Sequence, residues 1–320
     1  MEIKNILVSL LAPFENHIAN GGEKILGNAS SIKRTPDGRV YISGQMQRHA
    51  LFTAMERLNE ADPDKGETYV SNGDGVTNYV EKDLRADMGG FMHPSKNDYS
   101  GRRTAPISAT MAISISSNPA DELSLEESKI ARDLLIRLKQ DDSSTEGAKK
   151  QALATKEFSA YDLMHMNFSL DIGALSISKG FEYGGKSMHL GSTYFLHADA
   201  AERKRRARLF LEAAMSLNDY ANQARNMVSG EPQQVLIVFD NKVSRKAARF
   251  FQANEKEREN ILAELRERKA RVFYGNDKEG DTSVFAAKKQ AITFLMENAL
   301  FNPAGETSNV VPYATFAGEE

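Results

Sequence analysis

Cysteine is absent from the 320 residues, which excludes a disulfide framework and any thiolate metal site. A cytoplasmic home is consistent with that absence. Long apolar runs are missing as well. The run Ile6 to Ala12 is too short to span a membrane. Glu2 precedes it and no small-residue cleavage site follows, so it reads as a first β-strand rather than a signal-peptide core. Familiar catalytic signatures are also lacking. The six histidines form no His-x-x-x-His pair, so no metal site and no cofactor is expected. The Gly21-Gly22 to Gly27 stretch lacks the Gly-Lys-Ser/Thr that closes a nucleotide-binding loop, and no Gly-x-Ser-x-Gly elbow occurs. A basic excess is wanting too. The net charge is −3, so a nucleic-acid ligand would require the charges to be segregated.

They are segregated. Lys33-Arg34, Arg102-Arg103 and Arg203-Lys204-Arg205-Arg206 with Arg208 are basic clusters, while acids gather at Glu60 to Glu67, Asp121 to Glu127 and Glu319-Glu320. Hydrophobic residues make up 41%, enough for a real core. Periodicity predicts a strand over Ile3 to Leu11, a helix over Gln45 to Asn59, and a strand over Ile107 to Ser116. It predicts an amphipathic helix within Pro119 to Gln140 carrying Leu123, Ile130, Leu134 and Leu138, then a flexible connector at Asp141 to Lys150. Leu163 to Ser178 alternates as one or two strands. Ala198 to Ala221 reads as a helix, Gln234 to Asp240 as a short buried strand, Ser244 to Arg271 as a long charged helix and Gln290 to Asn298 as another helix. Ala61 to Ser100 is polar and aperiodic, a functional insertion or mobile lobe. Strand, helix, strand, strand, helix, strand is the βαββαβ order of α+β, ferredoxin-like, RNA-recognition domains.

Asn20 to Phe52 places a glycine-rich loop, the Lys33-Arg34 pair, a short strand and a polar helix start in succession. Gly21, Gly22 and Gly27 allow close backbone approach. Ser43 is a helix N-cap candidate, and a helix N-terminus presents free N–H groups to an anion. Arg48 and His49 share a helix face with Gln45. The combination suits a phosphate backbone.

These pieces, in this order, resemble the crRNA-binding backbone subunit of type I CRISPR Cascade complexes, in the DevR-like group of the RAMP superfamily. Gly27 to Arg34 resembles the first RNA-contact loop, and Ile42 to Leu51 the strand-to-helix motif. Asp-Met-Gly-Gly-Phe-Met, Asp87 to Met92, is similar to a mid-chain motif. Arg-Arg-Thr-Ala-Pro-Ile, Arg102 to Ile107, is similar to the basic entry of the second core strand, and Asn222 to Arg225 to the late basic loop. The pieces span Ile3 to about Asp240.

The resemblance implies one RRM-like palm over residues 1–320, interrupted by a finger-like insertion at 60–101 and a thumb-like insertion at 118–158. It implies a non-catalytic scaffold polymerising along crRNA, with target DNA recognised by guide pairing. The partners would be further copies of the chain, a repeat-end RAMP protein, and large and small Cascade subunits, with no membrane. By the same resemblance Asn28, Lys33, Arg34, Arg48, His49, Arg102, Arg103 and Arg225 would face the RNA. Ser43 and Gln45 would hydrogen-bond phosphate or ribose, and Met92 and Met46 would wedge against bases. Each has a plainer rival: Arg48 and His49 as surface residues of a packed helix, Arg102-Arg103 as a solvated turn, and Arg203 to Arg208 as a solvated helix face or a partner interface. The alternative function is a RAMP endoribonuclease that processes guide RNA, with His49, His17 and Tyr41 as candidates. Gly27 to Arg34 contains no carboxylate, and Asp37 lies in a Pro-Asp-Gly turn, which argues against target-RNA cleavage there.

Overall fold

The computed structural model describes residues 1–320 except 16, 18, 20, 25–29, 72–76, 95–99, 116–130, 139–150, 159–160, 222, 224–226, 281 and 318–320. Its centre is a seven-stranded antiparallel sheet. The strands are β1 (Asn5–Glu15), β2 (Tyr41–Ile42), β3 (Ile107–Ala109), β4 (Ala112–Ser114), β5 (Tyr161–Asp171), β6 (Gln234–Asp240) and β7 (Arg271–Asn276). They lie in the order β7-β6-β1-β5-β4-β2, with β3 also on β5. Fourth, first, third and second core strands therefore stand side by side, the ferredoxin-like arrangement expected from βαββαβ. Val8 on β1 pairs with Phe168 on β5 and Ile237 on β6, which fixes the register.

β1 reads as a nearly continuous apolar run because both of its faces are covered. Ile6, Val8, Leu10, Ala12 and Phe14 join the core beneath the helices α1 (Gly44–Glu60) and α2 (Ala200–Ala214). Leu7 and Leu11 join a second core with Leu236 and Val238, roofed by Ala247, Phe250 and Phe251 of a 3-10 segment and by Ile261 and Leu265 of α3 (Glu255–Glu267). Burying each Ile or Leu contributes about 1.5–3 kcal/mol. α1 starts where the Ser43 hydroxyl accepts the Met46 N–H, and it buries Gln47, Ala50, Leu51, Ala54 and Met55 at helical spacing. The fourth helix, α4 (Val284–Glu297), packs behind β6 and β7, and Glu2–Ile3 pairs in parallel with Ala299–Leu300.

Three expected elements differ in type or extent. Ala131–Leu138 is a strand paired with Gln151–Phe158, not a helix. Leu134 and Leu138 are four apart, which satisfies a helix, but Ile136 between them also satisfies strict alternation. The rest of that predicted helix and the Asp141 to Lys150 connector lie outside the described residues. Ser244 to Arg271 breaks into the 3-10 segment Lys246–Gln252, α3 and the start of β7, because Asn254 caps a new helix by accepting the Glu257 N–H at 2.9 Å. α2 ends at Ala214, short of Ala221. Leu163 to Ser178 holds two strands, as its alternation allows, shared between β5 and a separate hairpin, Ile177–Gly184 with Met188–Leu196. The aperiodic Ala61 to Ser100 is mostly turns where it is described. It also holds a π-helical turn at Arg85–Gly89 and one strand of the hairpin Phe91–Pro94 with Ser100–Arg103.

Candidate nucleic-acid interface

The outer edge of the sheet carries the first basic pair. Thr35-Pro36-Asp37-Gly38 closes a tight turn, with Gly38 at φ +84° and Thr35 N–H donating to Arg39 O at 2.9 Å. The Asp37 carboxylate accepts from the Thr35 hydroxyl and from Arg39 Nε, and these hold its carboxyl below the ordinary carboxylate range. Asp37 is thus a turn residue. Lys33 and Arg34 lead into this turn and are exposed; Arg34 also donates to Gly38 O at 2.9 Å. One step on, the start of α1 presents Gln45 and His49 to solvent.

Arg48 lies on the same helix turn but faces inward. Its Nη1 donates to Ile107 O and its Nη2 to Gly89 O, both at 2.7 Å. It stands over the Phe52 ring, 5.8 Å from the centroid, with Arg85 at 5.1 Å from the same centroid. Burial, and then the Arg85 charge, lower its pKa. Arg48 braces α1 against β3 and the Gly89-Gly90 turn, half-buried rather than free at the exposed edge.

Gly90 is obligatory at this turn. It sits at φ +68°, and a Cβ there would stand 2.5 Å from Arg103 O and 2.8 Å from Ala105 N. The turn launches the hairpin on which Met92 is 71% exposed, in register with Arg102. Arg102's side chain lies outside the described residues. Arg103 turns inward. It donates from Nη2 to Asp87 Oδ1 at 2.6 Å and to Ala174 O at 2.8 Å, and from Nη1 to Ile177 O at 2.9 Å and Ser178 Oγ at 3.1 Å. Arg103 was expected at the RNA, and the structure places it with its donors spent inside the fold.

Asp87 is the hub that sequence reasoning missed. Its Oδ1 also accepts from Ser176 N at 2.8 Å, and its Oδ2 from Ser176 Oγ and Arg206 Nη1, each at 2.7 Å. Burial pushes the Asp87 carboxyl upward, but Arg103 and Arg206 outweigh it and hold the group below the ordinary range. Arg206, fully buried, also donates to Glu202, Val80 O and Glu81 O. Arg205 grips Glu202, Asn59 and Asp62, and Arg208 reaches Asp62 at 2.5 Å. Arg203 spends its donors on the Leu175, Ile172 and Phe301 carbonyls, and burial lowers its pKa to about 10. The arginine run of α2 is therefore a clip between elements, not a solvated face.

The structure thus joins Ile42 to Leu51, Asp87 to Met92 and Arg102 to Ile107 into one assembly through Arg48, Gly90 and Arg103. Lys33, Arg34, Gln45, His49 and Met92 remain exposed, and Ser43 serves as the α1 cap. Asn28 and Arg225 lie outside the described residues. Met46 packs partly against the core. Of the nuclease candidates, Tyr41 lies in β2 and His49 is exposed, whereas His17 is buried, with Nε2 2.8 Å from Asp162 Oδ2. Among the described residues no group of three or more acids and histidines could hold a metal.

A family model described as CRISPR-associated negative auto-regulator DevR/Csa2 matches residues 8–272. No curated protein matches the chain. One chain of a solved "CRISPR RNA-guided surveillance complex, pre-nicking" aligns over 91% of this chain and 99% of its own length, with 12% identity and TM-score 0.54. A chain of another "CRISPR RNA-guided surveillance complex" covers 98% of both, with 13% identity and TM-score 0.49. At 12% identity the pre-nicking chain shows a common fold. The family match reaches from within β1 to within β7, and the chain belongs to the CRISPR-associated DevR/Csa2 family.

Proposed function

We propose that this chain is a non-catalytic, guide-RNA-binding backbone subunit of a type I CRISPR surveillance complex. The observation that carries the reading is the exposed edge formed by Lys33, Arg34, Gln45 and His49, on a fold of this family. Such a surface grips phosphate and ribose without reading sequence, which leaves the bases to pair with target DNA. Copies of the chain polymerise along one guide, beside a repeat-end RAMP protein and the large and small subunits. The paired strands Ala131–Leu138 and Gln151–Phe158 supply the thumb. Eight residues of strand reach about 26 Å, enough to cross a guide held by a neighbouring copy. The Gly90 turn presents Met92 from the finger as a wedge between bases.

Co-expression with neighbouring subunits and a CRISPR array tests this. Extracted RNA of one discrete length, carrying repeat and spacer and protected at regular intervals, supports the scaffold. The double charge reversal K33E/R34E should then lose the RNA while leaving the fold intact. A monomeric chain without RNA would sink the reading. Cleavage of repeat RNA by the purified chain, abolished by His49→Ala, would favour a guide-processing enzyme instead.

A further inference from the structure

The hairpin Ile177–Gly184 with Met188–Leu196 lies outside the central sheet and is anchored at its base. Ile177 and Leu196 are buried there, Leu196 O accepts the Val311 N–H at 2.8 Å, and His197 bridges Ser178 Oγ and Val311 O. Its two faces differ. One is met by the C-terminal helix Tyr313–Ala317, where Phe195 and Phe316 pack edge to face at 5.3 Å. The hairpin's Glu182 accepts from Thr193 at 3.2 Å; it alternates with Phe181 and Tyr183 and so belongs to that same face.

The opposite face is a run of rings. Phe181 is 52% and Tyr183 is 63% exposed, and their rings stack with centroids 6.2 Å apart and planes 28° from parallel. His189 meets both edge-on, at 5.8 Å and 6.2 Å, and is oriented by Ser192 Oγ at 3.1 Å. The Lys179 ammonium stands 5.0 Å from the Phe181 centroid and 5.7 Å from that of Tyr194. Exposed Lys186 follows at the tip. Adjacent exposed aromatics on a soluble protein mark an interaction site, and the charge alongside them is cationic. Planar rings with interleaved cations suit bases and phosphates. His189 and Ser192 on this face bond each other, and stacking on the rings requires no reading of base edges.

We propose that this ring face is a stacking platform for single-stranded DNA, separate from the Lys33-Arg34 edge. Unpaired bases stack on Phe181 and Tyr183, and Lys179 and Lys186 meet the phosphates. The assignment to DNA rests on the guide-RNA reading, because guide pairing with one target strand displaces the other. Stacking itself does not depend on that reading.

Two arms test it. In the first, the isolated full chain is titrated with a labelled dT20 oligonucleotide. F181L/Y183L keeps apolar surface but removes the rings, and should weaken binding by about tenfold or more, while the ring-preserving swap F181Y/Y183F should bind like wild type. Unchanged affinity in F181L/Y183L would overturn the platform, as would U20 competing better than dT20. In the second, the guide-loaded complex is given a target duplex with a photoreactive thymine analogue in its displaced strand. Crosslinking to this chain that is lost in F181L/Y183L, with guide content unchanged, supports the proposal. Loss of subunit assembly in that variant with dT20 binding intact would instead make the face a protein joint and overturn it. Should no guide be recovered even from wild type, the guide reading fails and the first arm alone decides stacking.

Discussion

Removing the Asp87 carboxylate should unfasten the assembly that orients α1, the Gly89-Gly90 turn and α2. In Asp87→Ala the Arg103 and Arg206 guanidinium groups stay buried while their shared anion is gone, and both Ser176 donors lose their acceptor. Deleting one partner of a buried pair costs about 3–5 kcal/mol. With an unfolding entropy of roughly 2.1 cal/mol/K per residue, a chain of this length loses about 4–7 °C in Tm. Asp87→Asn keeps the shape and loses the charge, so it should fall nearly as far. Asp64→Ala, at an exposed position, should stay within about 1 °C. The double variant D87A/R206M should recover part of the loss, since it also removes one stranded charge. The pH dependence has a definite sign. Asp87 titrates lower when folded, so its contribution is complete above about pH 4, near the unfolded value, and is lost as pH falls through the lower folded value. Calorimetric scans from pH 3 to 8 read both effects. Melting of Asp87→Ala and Asp87→Asn within about 1 °C of wild type at pH 7 would refute the hub.

His165 is buried between Ser9 Oγ at 3.1 Å and Gln252 Nε2 at 2.9 Å, and burial lowers its pKa to about 4. The unfolded chain binds this proton first, so stability should fall as pH drops from 6.5 toward 4, by about 1.4 kcal/mol per pH unit at most, and His165→Gln should flatten that slope in denaturant titrations. Gly90→Ala should cost at least about 2 kcal/mol, read as a lower denaturation midpoint, because a Cβ would collide with the Arg103 carbonyl and the residue has positive φ. Arg103→Lys should lower Tm by several degrees, whereas K33E/R34E should leave Tm within about 1 °C and abolish RNA retention. Equal Tm losses in both would contradict the division between buried and exposed cations.

The central fold was legible because its signals are local. β1, α1 and β6 announce themselves by apolar runs or helical spacing, and their order alone indicates the ferredoxin-like sheet. What escaped was decided by more distant partners or by ambiguous periods. Leu134 and Leu138 fit two periodicities, and the antiparallel pairing with Gln151–Phe158 selects the strand. β7 begins only at Arg271, the last residue of the expected charged helix, and the rest of it carried no expectation of its own. Its carbonyl and N–H ladder comes from β6, and the helix before it needs only the Asn254 cap to restart. The ring face of the hairpin was equally hidden, since Phe181, Tyr183 and His189 become neighbours only once the bulged pairing of Tyr183 with His189 forms.

Arginine is the residue on which the site reading turned. The three basic clusters look alike in sequence, yet they meet different environments. Lys33 and Arg34 remain at a solvent-facing edge. Arg103 folds into a nest of carbonyls. The α2 run closes on Asp87, Glu202 and Asp62, with Asp87 standing 119 residues from Arg206. A guanidinium suits such burial because its rigid fork satisfies several carbonyls and a carboxylate at once. One cue did lie in the sequence: Glu202 sits three and four positions before Arg205 and Arg206, the spacing of intrahelical pairs. The other half of the network needed the tertiary structure, since a Gly-Gly turn after Asp87 gives no hint that its carboxylate faces α2. The consequence is electrostatic. Cations neutralised inside the fold add little to the outer field, so on a chain of net charge −3 the proposed contact with a polyanion falls to exposed cations such as Lys33 and Arg34 at the sheet edge and Lys179 on the hairpin.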